Sequence, residues 1–302
     1  MVLTTGYTSA VPEFQTALKQ NPSLQTAKSF LPLSLAAVGD CSKAVPGLKN
    51  EFSTNPNLKL RRVLGLSLLK CQIETGQQPE ADVTAQNLLT AYPDDPDVLY
   101  AAGGLYGKMS SQIFLQLMKV APHSARTYQM MASVAATDGN WRKAIDAYRQ
   151  ALRVDPGLEG AHLQIAILML THSPDPNAWQ QALTELNDEL KLDPASAEAE
   201  YEIGEVHRKH DQLNQAVAAF RRSLQLDPSA VPTRIGMAKA LRALGRKEDA
   251  LAVLEPARKA APDDPDVHFL LASIYRSLGR TAEARAEVEA FERLQKSPQP
   301  VK

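Results

Sequence analysis

The chain has almost no net charge: 33 Lys and Arg stand against 34 Asp and Glu, which leaves a formal charge of −1 over 302 residues. Without a basic surplus it lacks the concentrated positive surface that neutralises phosphates, so a dedicated nucleic-acid binder is not expected. Long apolar runs are also missing. None approaches the ~18 residues that span a bilayer, so insertion by a membrane helix is not expected. The first residues, Met1 to Gly6, show neither the basic nor the apolar region of a signal peptide. Cysteine is scarce at 2 residues, and glycine (15) is outnumbered by proline (20), the reverse of average usage. With 44% hydrophobic and 22% charged residues, the composition is that of a folded chain and not a disordered one.

The prolines are periodic. Pro22, Pro56, Pro93, Pro122, Pro156, Pro194, Pro228 and Pro262 are separated by 34, 37, 29, 34, 38, 34 and 34 residues. Each follows a helix-like stretch such as Leu224-Gln225-Leu226-Asp227. Twelve residues before each of them stands a small residue: Ala10, Ala44, Ala81, Ser110, Ala144, Ala182, Ala216 and Ala250, with Ala284 continuing the series. Four residues further on comes a larger apolar one in Phe14, Leu48, Phe114, Tyr148, Leu186, Phe220, Leu254 and Val288, with Ala85 the exception. That spacing is one helical face. An upstream helix in each unit carries a second small column, Gly65, Gly103, Ala132, Ala166, Gly204, Ala238 and Ala272.

These columns resemble the tetratricopeptide repeat, whose 34-residue pattern runs W-x2-L-G-x2-Y…A-x3-F…P. The likeness extends from about residue 7 to 296 and is clearest in 125–156, 197–228, 231–262 and 265–296. It implies an all-α, right-handed superhelix of about eight and a half helix-turn-helix units with a concave groove. The units expected are a half unit 7–22, then 25–56, 58–93, 96–122, 125–156, 159–194, 197–228, 231–262 and 265–296, one solenoid followed by a disordered tail 297–302. Because 7–22 matches only a second helix, further chain is expected upstream of Met1. Unit 96–122 is about five residues short, which predicts a tight turn around Gly107-Lys108-Met109. Unit 159–194 is long, and Thr171 to Pro176 reads as an extended turn. Pro32 and Pro256 fall inside expected helices and predict local distortion. The charged last helix, Glu283 to Gln295, suits the end of a stack.

No catalytic constellation emerges, and neither an enzyme nor a cofactor is expected. Gly103 to Met109 is similar to a phosphate loop but has three residues between Gly103 and Gly107 and no Ser or Thr after Lys108. His207 and His210 have a spacing that can bind metal, yet His207 stands in a packing column shared with Tyr106, Leu241 and Tyr275. His123, His162, His172 and His268 share no acid or nucleophile, and Trp141 and Trp179 are expected to cover inter-repeat seams. Cys41 and Cys71 fall at helix ends that neighbour each other in stacked hairpins. A disulfide and two buried thiols both fit; a disulfide would favour a periplasmic or secreted location.

In the fold so implied, the first helix of each unit lines the groove. Its outward positions are Tyr100, Gln129, Met130, Ser133, Leu163, Gln164, Ile167, Tyr201, Glu202, Glu205, Ile235, Lys239, Phe269 and Ser273. Their mixed apolar and amide character suits an extended or helical peptide. Arg208, Arg242 and Arg276 repeat every 34 residues and form an expected ladder for a carboxylate or acidic peptide, with solvated helix ends as the alternative. Two specialised patterns are missing. Ser29, Leu33, Tyr100 and Gly104 replace the Lys and Asn of a carboxylate clamp, and Phe30, Val63, Ala101, Met130, Gln164, Glu202, Gly236 and Leu270 are not an asparagine ladder. The sequence therefore predicts a bacterial-type scaffold for a protein or peptide partner. A self-associating structural solenoid, or an accessory segment of a larger enzyme or sensor, are the alternatives.

Overall fold

The structure is a computed structural model, and it describes residues 4–296, with side chains from Tyr7 onward. The tail expected at 297–302 lies outside the described residues. Every described element is a helix, sixteen in all. The chain divides into two compact units between Lys119 and Val120, where the repeat period alone predicts one solenoid.

The first unit holds α1 (Thr4–Gln20), α2 (Gln25–Ala37), α3 (Cys41–Thr54), α4 (Leu58–Glu74), α5 (Gln78–Ala91) and nearly all of α6 (Pro96–Val120). The second holds α7 (Ala125–Thr137), α8 (Trp141–Val154), α9 (Ala161–His172), α10 (Ala178–Leu192), α11 (Ala197–Lys209), α12 (Leu213–Leu226), α13 (Val231–Ala243), α14 (Lys247–Ala260), α15 (Pro265–Ser277) and α16 (Thr281–Lys296). From α2 onward these pair as antiparallel hairpins, except α6. In each unit the first helices of neighbouring hairpins touch in series, α2 with α4 and α11 with α13 with α15. They form the inner face.

Local chemistry fixes the ends of the helices. Asn57, Ser124 and Ser196 accept backbone N–H bonds from Leu60, Thr127 and Ala199 at the starts of α4, α7 and α11, and Pro96 and Pro265 open helices where an N–H is not needed. Six of the seven hairpins turn on a left-handed residue: Gly39, Gly76, Gly139, Gly245, Gly279 and, with a φ of 56°, Asp211. The residue after it donates back to the helix, as Arg246 N–H does to Leu241 O at 2.9 Å. The seventh hairpin, α9 and α10, is joined by the longer segment after His172.

The small columns let helices close on one another. Ala144, Ala182, Ala216 and Ala250 are fully buried, and Phe220 is buried between Gly204 and Gly236. Apolar clusters run along α1 to α4, α4 to α6, α7 to α12 and α11 to α16. Disulfide-bonded Cys41 and Cys71 join the start of α3 to the end of α4, with Cα atoms 4.9 Å apart.

Unit 96–122 departs from its expected form. It is one continuous helix of 25 residues, not a hairpin, and Gly103, Gly104 and Gly107 all lie inside it without left-handed backbone. The cause is length. In four other units twelve residues separate the two small columns, as from Gly204 to Ala216, whereas Gly103 and Ser110 are seven apart. The five missing residues are the turn, and without a turn the helix continues. The boundary between the compact units falls at the end of this helix. Helices α2 and α14 continue through Pro32 and Pro256, where the sequence predicts local distortion. Pro32 is instead a packing residue, buried so close to Gly47 that a Cβ on that glycine would lie 2.9 Å from the proline ring.

Candidate functional site

The inner face of the second unit carries the chemistry. Successive first helices bring Arg208 from α11, Lys239 and Arg242 from α13, and Phe269 and Leu270 from α15 around one cavity of about 370 Å³, which Asp211, Leu213, Ala243 and Asp266 also line. Its lining is part charged and part apolar. Arg242 donates to the Ser273 hydroxyl at 2.7 Å, which leaves further guanidinium donors free. Lys239 has no ion-pair partner among the described residues.

Arg208 is different. Its guanidinium donates both Nε and Nη2 to the Glu205 carboxylate, at 2.8 and 2.7 Å, in a fork-to-fork pair on one helix turn. That bond raises the guanidinium pKa further. Glu205 is wedged against α13, its Oε1 lying 2.9 Å from where a Gly236 side chain would begin. Burial pushes the neighbouring Glu202 carboxyl and Tyr201 hydroxyl upward, and the charge of Glu205 adds to both shifts. The ladder is therefore realised in part. Arg208 and Arg242 share the cavity, but Arg208 arrives with its own counter-charge, and Arg276 does not line it.

The remaining expected groove positions divide by burial. Gln164 and Ser133 are exposed, and Gln129, Met130, Ile167 and Tyr201 are half-buried. Gln129 accepts from Arg126 at 2.8 Å, and the Ser133 hydroxyl donates to the Gln129 carbonyl at 3.1 Å. Phe269 is exposed and tilted against Phe291. Leu163 and Ile235 are corrections: both are buried in the apolar core of the unit, because each follows the helix stripe that meets a neighbouring helix. Tyr100 is exposed on α6, in the first unit.

The two histidines have separate partners. His207 pairs through Nδ1 with the Gln212 amide at 2.5 Å, while the His210 ring stacks on Trp179 with centroids 4.2 Å apart. Trp141 packs on the core and lies under the Arg142 guanidinium. Among the described residues no group of His, Cys, Asp and Glu is arranged around a metal site, and no helix is long and apolar enough to cross a membrane.

The first unit's inner face is unlike the second's. A cavity of about 400 Å³ there is lined by Tyr7 of α1, Phe30, Leu33 and Ala36 of α2, and Leu60 and Val63 of α4. Phe30 and Val63 stand in the groove column of the sequence and Leu33 at one of the clamp places, whereas nothing in the sequence marks Tyr7, Ala36 and Leu60 as joining them. The available signal was the recurrence of large apolar residues, Phe30 and Val63, at a position that faces outward elsewhere in the series.

Known proteins match on the same architecture. Tetratricopeptide-repeat family profiles match residues 207–274 and 248–293, 177–231, and 127–160, together half of the chain and all in the second unit. The chain belongs to the tetratricopeptide-repeat family. Among solved structures it is similar to MamA, at 20% identity and a TM-score of 0.51 over 59% of this chain and 98% of that one. A double mutant of MamA from RS-1 gives 17% identity and a TM-score of 0.53 over 57% and 94%. The third is YrrB, described as a tetratricopeptide-repeat protein with an unusual peptide-binding site, at 16% identity and a TM-score of 0.50 over 60% and 92%. At these identities the likeness is one of fold. No curated protein sequence matches the chain.

Proposed function

We propose that this protein is a non-enzymatic scaffold whose second unit holds an extended peptide along its inner face, anchored by an acidic side chain or terminal carboxylate in the cavity between α11, α13 and α15. The observation that carries this reading is the pair Lys239 and Arg242. Both line a cavity together with Phe269 and Leu270, and among the described residues neither is neutralised by an ion pair. A carboxylate entering there gains charge-assisted bonds, and an apolar neighbour on the same peptide covers Phe269. Asp211 and Asp266 in the same lining disfavour a peptide that is acidic throughout, so one or two acids flanked by apolar residues fit best. The description of YrrB as peptide-binding, on the same fold, is consistent with this use of the face.

Selection from a random dodecapeptide display library against the whole chain tests the reading. Enriched peptides should pair an acidic residue with an apolar one. Their affinity should fall roughly ten-fold or more when Lys239→Glu and Arg242→Glu are combined, a loss of about 1.4 kcal/mol or greater, with thermal unfolding unchanged. Enrichment of peptides without acids, or binding indifferent to that double substitution, overturns it.

A further inference from the structure

Helix α6 is a hairpin that has been opened, and its open face lacks its partner. In α11 and α12 the close approach rests on a glycine and a phenylalanine: a Cβ at Gly204 would lie 2.5 Å from the Phe220 ring, and Phe220 is fully buried. Unit 96–122 carries the same two residues in the same columns, as Gly103 and Phe114. Here, nothing lies within 4 Å of the missing Gly103 side chain, and Phe114 is exposed. Eleven residues apart on one straight helix, they are separated by about 16 Å and cannot meet within one chain. Leu99, Tyr100, Ile113 and Met118 are exposed as well.

We propose that this face pairs antiparallel with α6 of a second copy of the chain, so that two copies rebuild in trans the hairpin that neither forms alone. Gly103 and Phe114 lie equally far from the point between Lys108 and Met109. A two-fold axis there sets each Phe114 on the other copy's Gly103, and each Met118 opposite the other copy's Leu99. The contact is isologous, as closed dimers require. Folding back within one chain is barred by the five missing residues, since six of the seven hairpins reverse on a left-handed residue of a kind that α6 lacks.

Charge selects the orientation. Asp97, Lys108 and Lys119 are the only charged residues of α6, and its ends are of opposite sign. An antiparallel copy brings the Asp97 end level with the Lys119 end and opposes the helix dipoles, whereas a parallel copy would align like with like. A shortened hinge that converts an internal contact into an exchanged one is a low-cost route to a dimer.

Sedimentation equilibrium of the full chain at micromolar concentration decides the matter. The expected result is twice the mass of one chain. Phe114→Asp should return the mass to that of one chain with helical circular dichroism retained, since Phe114 makes no core contact in the single chain. A second variant, with five residues of the Gly139-Asn140 turn type inserted between Gly107 and Lys108, should also be single, because it lets the hairpin close on itself. A single-chain mass for the unaltered protein, or a dimer that survives both changes, overturns the proposal.

Discussion

Gly204 and Gly104 both sit within helices, and a methyl group added to each meets opposite surroundings. At Gly204 it would press on the ring of Phe220, which has no free space to retreat into; at Gly104 nothing stands within 4 Å. Gly204→Ala should cost about 1–3 kcal/mol through overpacking. Gly104→Ala should stabilise α6 by about 0.5–1 kcal/mol, because alanine loses less backbone freedom than glycine in a helix. Urea unfolding of the two variants against the parent checks both signs. Leu163, which the period places on the groove side and the structure buries, depends on its surroundings in the same way. Periodicity assigns a residue to a side of its helix, but Leu163 lies at the edge of that side, where the position of the next helix decides between groove and core.

Helices α9 and α10 show how a pair of elements is tied by groups that no spacing rule links. His162 of α9 meets Glu185 of α10 with Nδ1 and Oε2 2.6 Å apart, and Glu189 of α10 accepts the Gly160 N–H at 2.6 Å and the Leu163 N–H at 3.2 Å, capping the start of α9. The hydrogen bond from Glu185 raises the His162 pKa above the ordinary imidazole value, against the opposing effect of burial. A raised folded-state pKa stabilises the fold below the unfolded pKa and loses that contribution as pH rises through the folded one. The stability lost in His162→Ala should therefore be larger in mildly acidic than in alkaline buffer, as measured by urea midpoints across that range. Equal losses at both ends would mean that His162 acts through packing alone. Opening of α6 belongs to this scale too. Its two columns are plain in the sequence, and so is the short interval between them; what the interval does, continue the helix or tighten a turn, depends on whether any residue between can reverse the chain, and none of the three glycines does.

Across the whole molecule the two units are held by different means. A disulfide links α3 and α4 in the first unit, closing a separation of 30 residues, and the second unit has no cysteine. Closing a loop of that size removes unfolded-chain entropy worth about 3–4 kcal/mol. Addition of a reductant should lower the stability of the first unit by roughly that amount and leave the second unchanged, a difference that hydrogen exchange resolved by peptide would show directly. Equal losses of protection in both units would contradict this assignment. By itself the sequence determined the repeat, the phase of its helices and the small columns at which they touch, because 3.6 residues per turn and a proline every 34 residues act along the chain alone. Tertiary structure decided how the two units divide and which side chains meet around one cavity. Arg208 and Arg242 hold equivalent places in the repeat, and their difference is local, since Glu205 stands one turn before Arg208 where Lys239 stands before Arg242. That both meet Phe269 and Leu270 of α15 at one cavity is set by distances between helices, which repeat spacing does not encode.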